Sequence, residues 1–246
     1  MKIKIQYLFI LIVINLLIIG CSSNTNIISE DSQNDIYKSS QEKLKKHNYK
    51  GAIKLLEKLY NNYPLNLHKK QAQLDLIYAY YKSSELLLAI KMIDQFILSN
   101  PNDANIDYVL YMRGLTAQKL DQNILQDFFG IDYSDKDPQY ATAAFKSFTQ
   151  LIRSYPNSFY VKDSIKRLFL IKERLAKHQF SIIKYYYKHS AYIAIINRTE
   201  NMLKNFPESK YTQHALQYMK IAYDKLGLIN EKNKVMQLTK MNNFKN

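Results

Sequence analysis

A nine-position pattern recurs three times in this chain, each time followed by a proline at the same distance, and it constrains the fold more than any other feature. Ala52-Ile-Lys-Leu-Leu56-Glu-Lys-Leu59-Tyr60 runs to Pro64, Ala89-Ile-Lys-Met-Ile93-Asp-Gln-Phe96-Ile97 to Pro101, and Ala144-Phe-Lys-Ser-Phe148-Thr-Gln-Leu151-Ile152 to Pro156. Each copy places a small residue twelve positions before proline and large apolar residues one, four, seven and eight positions after that small residue. On a 3.6-residue period these positions form one face of a helix. A fourth copy, Ile195 to Pro207, keeps the spacing but has Ile in the small position and Thr199 at the fourth. Upstream of the four copies lie further amphipathic stretches: Ile36 to Lys46, Gln71 to Lys82, Asp107 to Leu120, and Tyr160 to about Lys188. A fifth pair, Tyr211 to Leu226 and Glu231 to Asn242, turns at Gly227 and lacks the closing proline, as a terminal cap would. Five glycines and five prolines in 246 residues leave little material for tight turns, so the chain reads as all-α.

Helix pairs whose second helix opens on alanine and closes on proline resemble tetratricopeptide repeats. The expected architecture is five such pairs stacked in a right-handed superhelical solenoid over residues 35–246, with an N-terminal half at 35–101, an interrupted third repeat at 107–156 and a C-terminal half at 157–246. The interruption, Asp121 to Pro138, is far longer than the other turns, and long loops in compact arrays are often functional. Its Asp132, Asp135 and Asp137 do not make a calcium loop, because the sixth position is not glycine and Ala143 stands where the bidentate acid belongs. Asp137-Pro138 reads as N-cap and first helical residue, and Phe128-Phe129 as a pair that folds back onto the helices.

The N-terminus assigns the compartment. A cationic start, an apolar run from Tyr7 to Ile19, and Gly20 before the lone Cys21 resemble a bacterial lipobox. That resemblance implies a signal peptide at 1–20 and a lipid anchor on Cys21, consisting of S-diacylglycerol and an N-acyl chain. Residues 21–34 then form a flexible lipidated leash. The apolar run is shorter than the ~20 residues of a membrane helix. Ser22 rather than Asp after the cysteine points by analogy to the outer membrane of a Gram-negative bacterium. Acylation of Cys21 leaves no thiol for disulfides, so packing alone holds the fold. The formal charge of +14, or +12 without Lys2 and Lys4, can attract anionic lipid or acidic partners. Abundant Lys, Asn, Ile and Tyr together also fit an AT-rich genome, and the compartment excludes nucleic acid.

Catalytic constellations are absent from the sequence. His47, His68, His178, His189 and His214 are scattered without metal-ligand spacing, and there is no G-x-S-x-G, HExxH or glycine-rich phosphate loop. The chain therefore reads as a non-enzymatic binding protein without a metal or cofactor. First helices line the inner face of such a solenoid. Their tyrosines, with an apolar ring and a polar tip, suit peptide recognition. Tyr37, Tyr78 and Tyr81 are the candidate groove residues, although interhelical core is the commoner role for any single ring at such positions.

The strings Asp75-Leu-Ile-Tyr-Ala-Tyr-Tyr-Lys82, Asn105-Ile-Asp-Tyr-Val-Leu-Tyr-Met-Arg-Gly-Leu115, Phe128-Phe-Gly-Ile-Asp132, Asp137-Pro-Gln139 and Arg174-Leu-Ala-Lys177 are not shared by generic tetratricopeptide proteins. In them, and from the lipobox to about Asn242, the chain resembles the BamD family of lipoproteins, subunits of the β-barrel assembly machinery. The resemblance implies an outer-membrane protein on the periplasmic face, in complex with the POTRA-bearing barrel protein BamA. C-terminal repeats would dock the last POTRA domain, and N-terminal repeats would recognise the C-terminal signal of unfolded barrel proteins. Arg198, in Ile195-Ile-Asn-Arg198, matches the family's arginine that pairs with a POTRA acid. The lipoproteins BamC and BamE are further partners in the family. A tetratricopeptide lipoprotein serving peptidoglycan or cell-division machinery is the alternative, and it would lack the interruption with Phe-Phe-Gly.

Overall fold

The computed structural model describes residues 30–63, 67–122 and 137–243. Cys21, most of the leash, Pro64 and the Phe128-Phe129 pair lie outside them. The described residues form ten helices: α1 Glu30–Lys45, α2 Tyr49–Asn62, α3 Lys69–Lys82, α4 Leu86–Ser99, α5 Ile106–Asp121, α6 Gln139–Ser154, α7 Val161–Lys188, α8 Tyr192–Asn205, α9 Lys210–Lys225 and α10 Ile229–Asn243. They make five tetratricopeptide-like pairs, as the periodicity predicts. Each helix packs on its neighbours in the chain, and the first helices α3 and α5, and α7 and α9, also meet directly.

The pairs share two junction designs. Within the four pairs whose turns are described, the turn holds one residue in the left-handed region: His47 (φ 56), Ser84 (φ 66), Ser190 (φ 55) and Gly227 (φ 73). The next amide reaches back five residues in a Schellman closure, Asn48 N to Lys43 O, Glu85 N to Tyr80 O, Ala191 N to Tyr186 O and Leu228 N to Tyr223 O, all at 2.9–3.0 Å. Between pairs, the residue ahead of each proline leaves the helix with a positive, non-helical ψ: Tyr63 at 72°, Asn100 at 56°, Tyr155 at 60° and Phe206 at 49°. Proline disfavours helical backbone in the residue before it, so each second helix stops where the sequence placed its end.

The recurring register becomes the core. Ala52, Ala89 and Ala144 are fully buried, as are Leu56, Ile93 and Phe148 four positions on and Leu59, Phe96 and Leu151 seven positions on. The divergent fourth copy keeps the same burial. Ile195 and Thr199 are also fully buried, and the Thr199 hydroxyl donates to Ile195 O at 2.8 Å. A larger residue in the small position is matched by a smaller one a turn later, which conserves volume. One buried cluster runs from Ala52 to Ile171 and a second from Ala176 to Val235. The 28-residue α7 belongs to both and joins them without a break.

Several boundaries differ from expectation. Helix α1 begins at Glu30, so residues 30–34, read as leash, form its first turn, and Asn34 Oδ1 contacts His68 Nε2 at 2.8 Å. Helix α3 begins at Lys69 rather than Gln71. Helix α6 begins at Gln139, one residue later than expected; Pro138 is its N-cap, while Asp137 Oδ1 accepts from Gln139 N at 3.1 Å.

Candidate functional site

The first helices α1, α3, α5 and α7 share a face on which side chains meet across repeats, and Asp75 is its first junction. Its carboxylate accepts from Tyr37 Oη at 3.2 Å, Gln41 Nε2 at 2.6 Å and Gln71 Nε2 at 3.0 Å. The Tyr37 ring lies flat on His68, centroids 4.2 Å apart. Burial, reinforced by Asp75, pushes the Tyr37 hydroxyl up to about 12. Farther along, Tyr160 lies 5.8 Å from Tyr108 and stacks on Tyr111 at 4.6 Å, and Tyr111 Oη donates to Asp163 Oδ2 at 2.7 Å. Burial raises the hydroxyls of Tyr108, Tyr111 and Tyr160. Burial also pushes the Asp163 carboxyl up, but hydrogen bonds from Arg167 and Tyr111 outweigh it and hold the group below the usual carboxylate range. Arg167 Nη1 also donates to Gln118 Oε1 at 2.9 Å, and Arg174 Nε lies 3.2 Å from Asp121 Oδ2. Polar side chains thus clasp α5 to α7.

The three candidate tyrosines do not form one patch. Tyr37 is a spacer between α1 and α3, with its hydroxyl used by Asp75. Tyr81 packs against the core under Lys119, whose Nζ lies 5.0 Å from its ring centroid and donates to Ser84 Oγ at 3.0 Å. Tyr78 turns its ring to solvent, 37% exposed, in an edge contact with Tyr49 at 6.0 Å. Sequence reasoning missed Asp75, Tyr108, Tyr111, Tyr160 and Asp163. The four-residue spacing of Asp163 and Arg167 was a signal for their ion pair, as was that of Gln71 and Asp75 for their hydrogen bond; the contacts of Tyr37 and Gln41 with Asp75 cross 38 and 34 residues and leave no local trace.

In the C-terminal half, Arg198 sits half-buried on α8 beside a hollow of about 310 Å³ lined by Gln179, Tyr186, Ala194, Asn197 and Asn201. Its guanidinium carbon lies 5.7 Å from the Tyr186 centroid, and Nη1 donates to Gln179 Oε1. Two residues of α7 therefore hold the arginine in place. A guanidinium has five N–H donors in a planar fork suited to a carboxylate, and the amide-bearing rim adds further polar groups. The hollow can receive an acidic side chain from a partner.

Residues 29–238 match the outer membrane lipoprotein family YfiO. A Vibrio cholerae protein named outer membrane protein assembly factor BamD is 38% identical over 226 residues, 92% of this chain and 94% of its own. The Haemophilus influenzae protein of that name is 36% identical over 237 residues, 95% of this chain and 90% of its own. That of Buchnera aphidicola is 36% identical over 242 residues, 98% of both chains. The chain belongs to the BamD family. BamD likeness at that coverage passes through the segment that holds Cys21, and the lipoprotein character of the family agrees with the lipobox. Membership also places the chain at the outer membrane. Among the described residues, no helix of this BamD-family chain is long and apolar enough to cross a membrane, and no group of three or more His, Cys, Asp or Glu could hold a metal ion.

Proposed function

We propose that this chain is a non-enzymatic scaffold of outer-membrane β-barrel assembly, held on the periplasmic face by acyl chains on Cys21. Its C-terminal repeats dock the last POTRA domain of BamA through Arg198, and its N-terminal repeats take the C-terminal segment of unfolded barrel proteins. BamC and BamE are further candidate partners. The observation that carries this reading, beside family membership, is the pre-positioned Arg198 in a polar hollow. A pull-down of the native protein from detergent-solubilised membranes tests it. A POTRA-bearing barrel protein is expected; cell-wall enzymes or division proteins in its place would overturn it.

Each half has its own test. Arg198→Ala should weaken binding of the last POTRA domain by about 2–5 kcal/mol, as for a desolvated charge pair that loses one partner; a change below about threefold excludes Arg198 as an anchor. Photo-crosslinkers at Tyr37, Tyr78 and Tyr81 should capture a barrel-derived C-terminal peptide more than one at Lys234, which is paired with Glu231 on α10. Equal capture at Lys234 would mean a sticky basic surface. Cys21→Ala should abolish metabolic palmitate labelling and release the chain from the membrane.

A further inference from the structure

We propose that Lys82, seated between Tyr49 and Tyr78, is the receptor for the free terminal carboxylate of a bound peptide. This rests on the N-terminal half taking the C-terminal segment of a barrel protein, and it names the group that would distinguish a chain end from an internal strand.

Lys82 is the last residue of α3 and is exposed, with Nζ 5.6 Å from the Tyr49 ring centroid and 5.9 Å from that of Tyr78. Among the described residues it has no carboxylate partner. Lys70, Arg113, Lys232 and Lys234 differ in this respect, because each is paired with an acid at 2.5–3.1 Å. Two aromatic faces attract an ammonium without neutralising it, so the cation is held yet remains available to an anion.

Its surroundings strengthen the field. The neighbouring turn, residues 43–50, carries Lys43, Lys45, Lys46 and Lys50 and no acid. The rings are tied in place: His47 Nδ1 lies 2.9 Å from Tyr49 Oη, and the Tyr49 and Tyr78 rings meet edge-on with centroids 6.0 Å apart. A peptide ending at Lys82 would set its terminal carboxylate on the ammonium and its last side chain against the exposed Tyr78 ring. An amidated or internal segment offers the side chain without the charge.

The test uses the full lipidated chain in detergent and one ten-residue peptide with alternating aromatic and polar residues, made as the free acid and as the C-terminal amide. By fluorescence anisotropy at low salt the acid should bind about three- to fivefold tighter than the amide, the scale of an exposed ion pair. The gap should narrow as salt screens it. Lys82→Gln should bring the acid and the amide to equal affinity, and Lys82→Arg should keep the gap. A gap that survives Lys82→Gln, or equal binding of acid and amide to the parent, overturns this proposal and leaves peptide capture standing. Failure of both peptides to bind the parent overturns capture itself and this proposal with it.

Discussion

Gly114 on α5 shows how closely single residues are fitted. A Cβ built there would lie 2.4 Å from Phe148 Cε1 and 2.5 Å from Cζ, and Phe148 is among the largest fully buried side chains. Alanine would gain up to ~1 kcal/mol of helix propensity, but overpacking a closed core costs about 1–3 kcal/mol. Gly114→Ala should therefore be destabilising, with its urea midpoint below that of the parent; an equal or higher midpoint would show that the Phe148 ring can move. The tyrosines mark where residue-level reading of the sequence stops. Tyr37 and Tyr78 both sit on first helices, yet one is bonded to Asp75 and the other faces solvent. Periodicity assigns a residue to a helix face, but the partner that decides between spacer and binding surface lies on another repeat. Arg198 was easier to single out, because a charge at a position otherwise held by Leu55, Met92 and Ser147 breaks the register. Its supports Gln179 and Tyr186 come from α7 and were not visible locally. If they position the guanidinium, Gln179→Ala should weaken POTRA binding less than Arg198→Ala does, and it should add little to Arg198→Ala in a double-mutant cycle.

The helices were largely legible because apolar register and proline are local signals, whereas the turns within pairs were legible at Gly227 alone. His47, Ser84 and Ser190 occupy the same left-handed position without being glycine. Backbone closure and packing on both sides impose the conformation there, which overrides local preference. A left-handed conformation costs an L-residue roughly 1–2 kcal/mol, and glycine escapes this at the expense of a more flexible unfolded chain. Ser190 is the clean position to test. It is exposed, whereas the Ser84 hydroxyl accepts from Lys119 and the His47 ring contacts Tyr49. Ser190→Gly should raise stability by about 0.5–1 kcal/mol; a lower thermal midpoint would mean that the turn is not strained. The junction of α5 with α7 makes a second element-level case. Arg174 and Asp121 have side chains only 20% and 10% exposed. Arg174→Ala strands a buried carboxylate, a loss that reaches about 3–5 kcal/mol for fully buried pairs. Adding Asp121→Ala should restore part of it, and a double variant less stable than the single would contradict the pairing.

At the scale of the whole molecule, two buried clusters share one continuous helix, and their tyrosines are unevenly divided. Tyr37, Tyr80, Tyr108, Tyr111 and Tyr160 belong to or pack against the first cluster and Tyr223 belongs to the second. In all six, burial is the leading cause that raises the hydroxyl above its ordinary value of 10.0. A group whose folded pKa is raised contributes stability that is intact below the unfolded value and lost as pH rises through the folded one. For Tyr37 that window opens near pH 10 and closes near its folded value of about 12. Unfolding releases these hydroxyls to ionise, so alkali should destabilise the first cluster more than the second. Urea titrations at pH 9, 10 and 11, followed by far-UV circular dichroism and tyrosinate absorbance, should show the midpoint falling above pH 10. Limited proteolysis at pH 10.5 should cut the helices before Ile171 ahead of those after Ala176. Tyr37→Phe removes one ionising group while leaving Gln41 and Gln71 on Asp75, so its midpoint should fall less steeply with pH than the parent's. A steeper fall in Tyr37→Phe, or earlier cutting in α8 to α10, would refute the assignment of alkaline sensitivity to the tyrosines of the first four repeats.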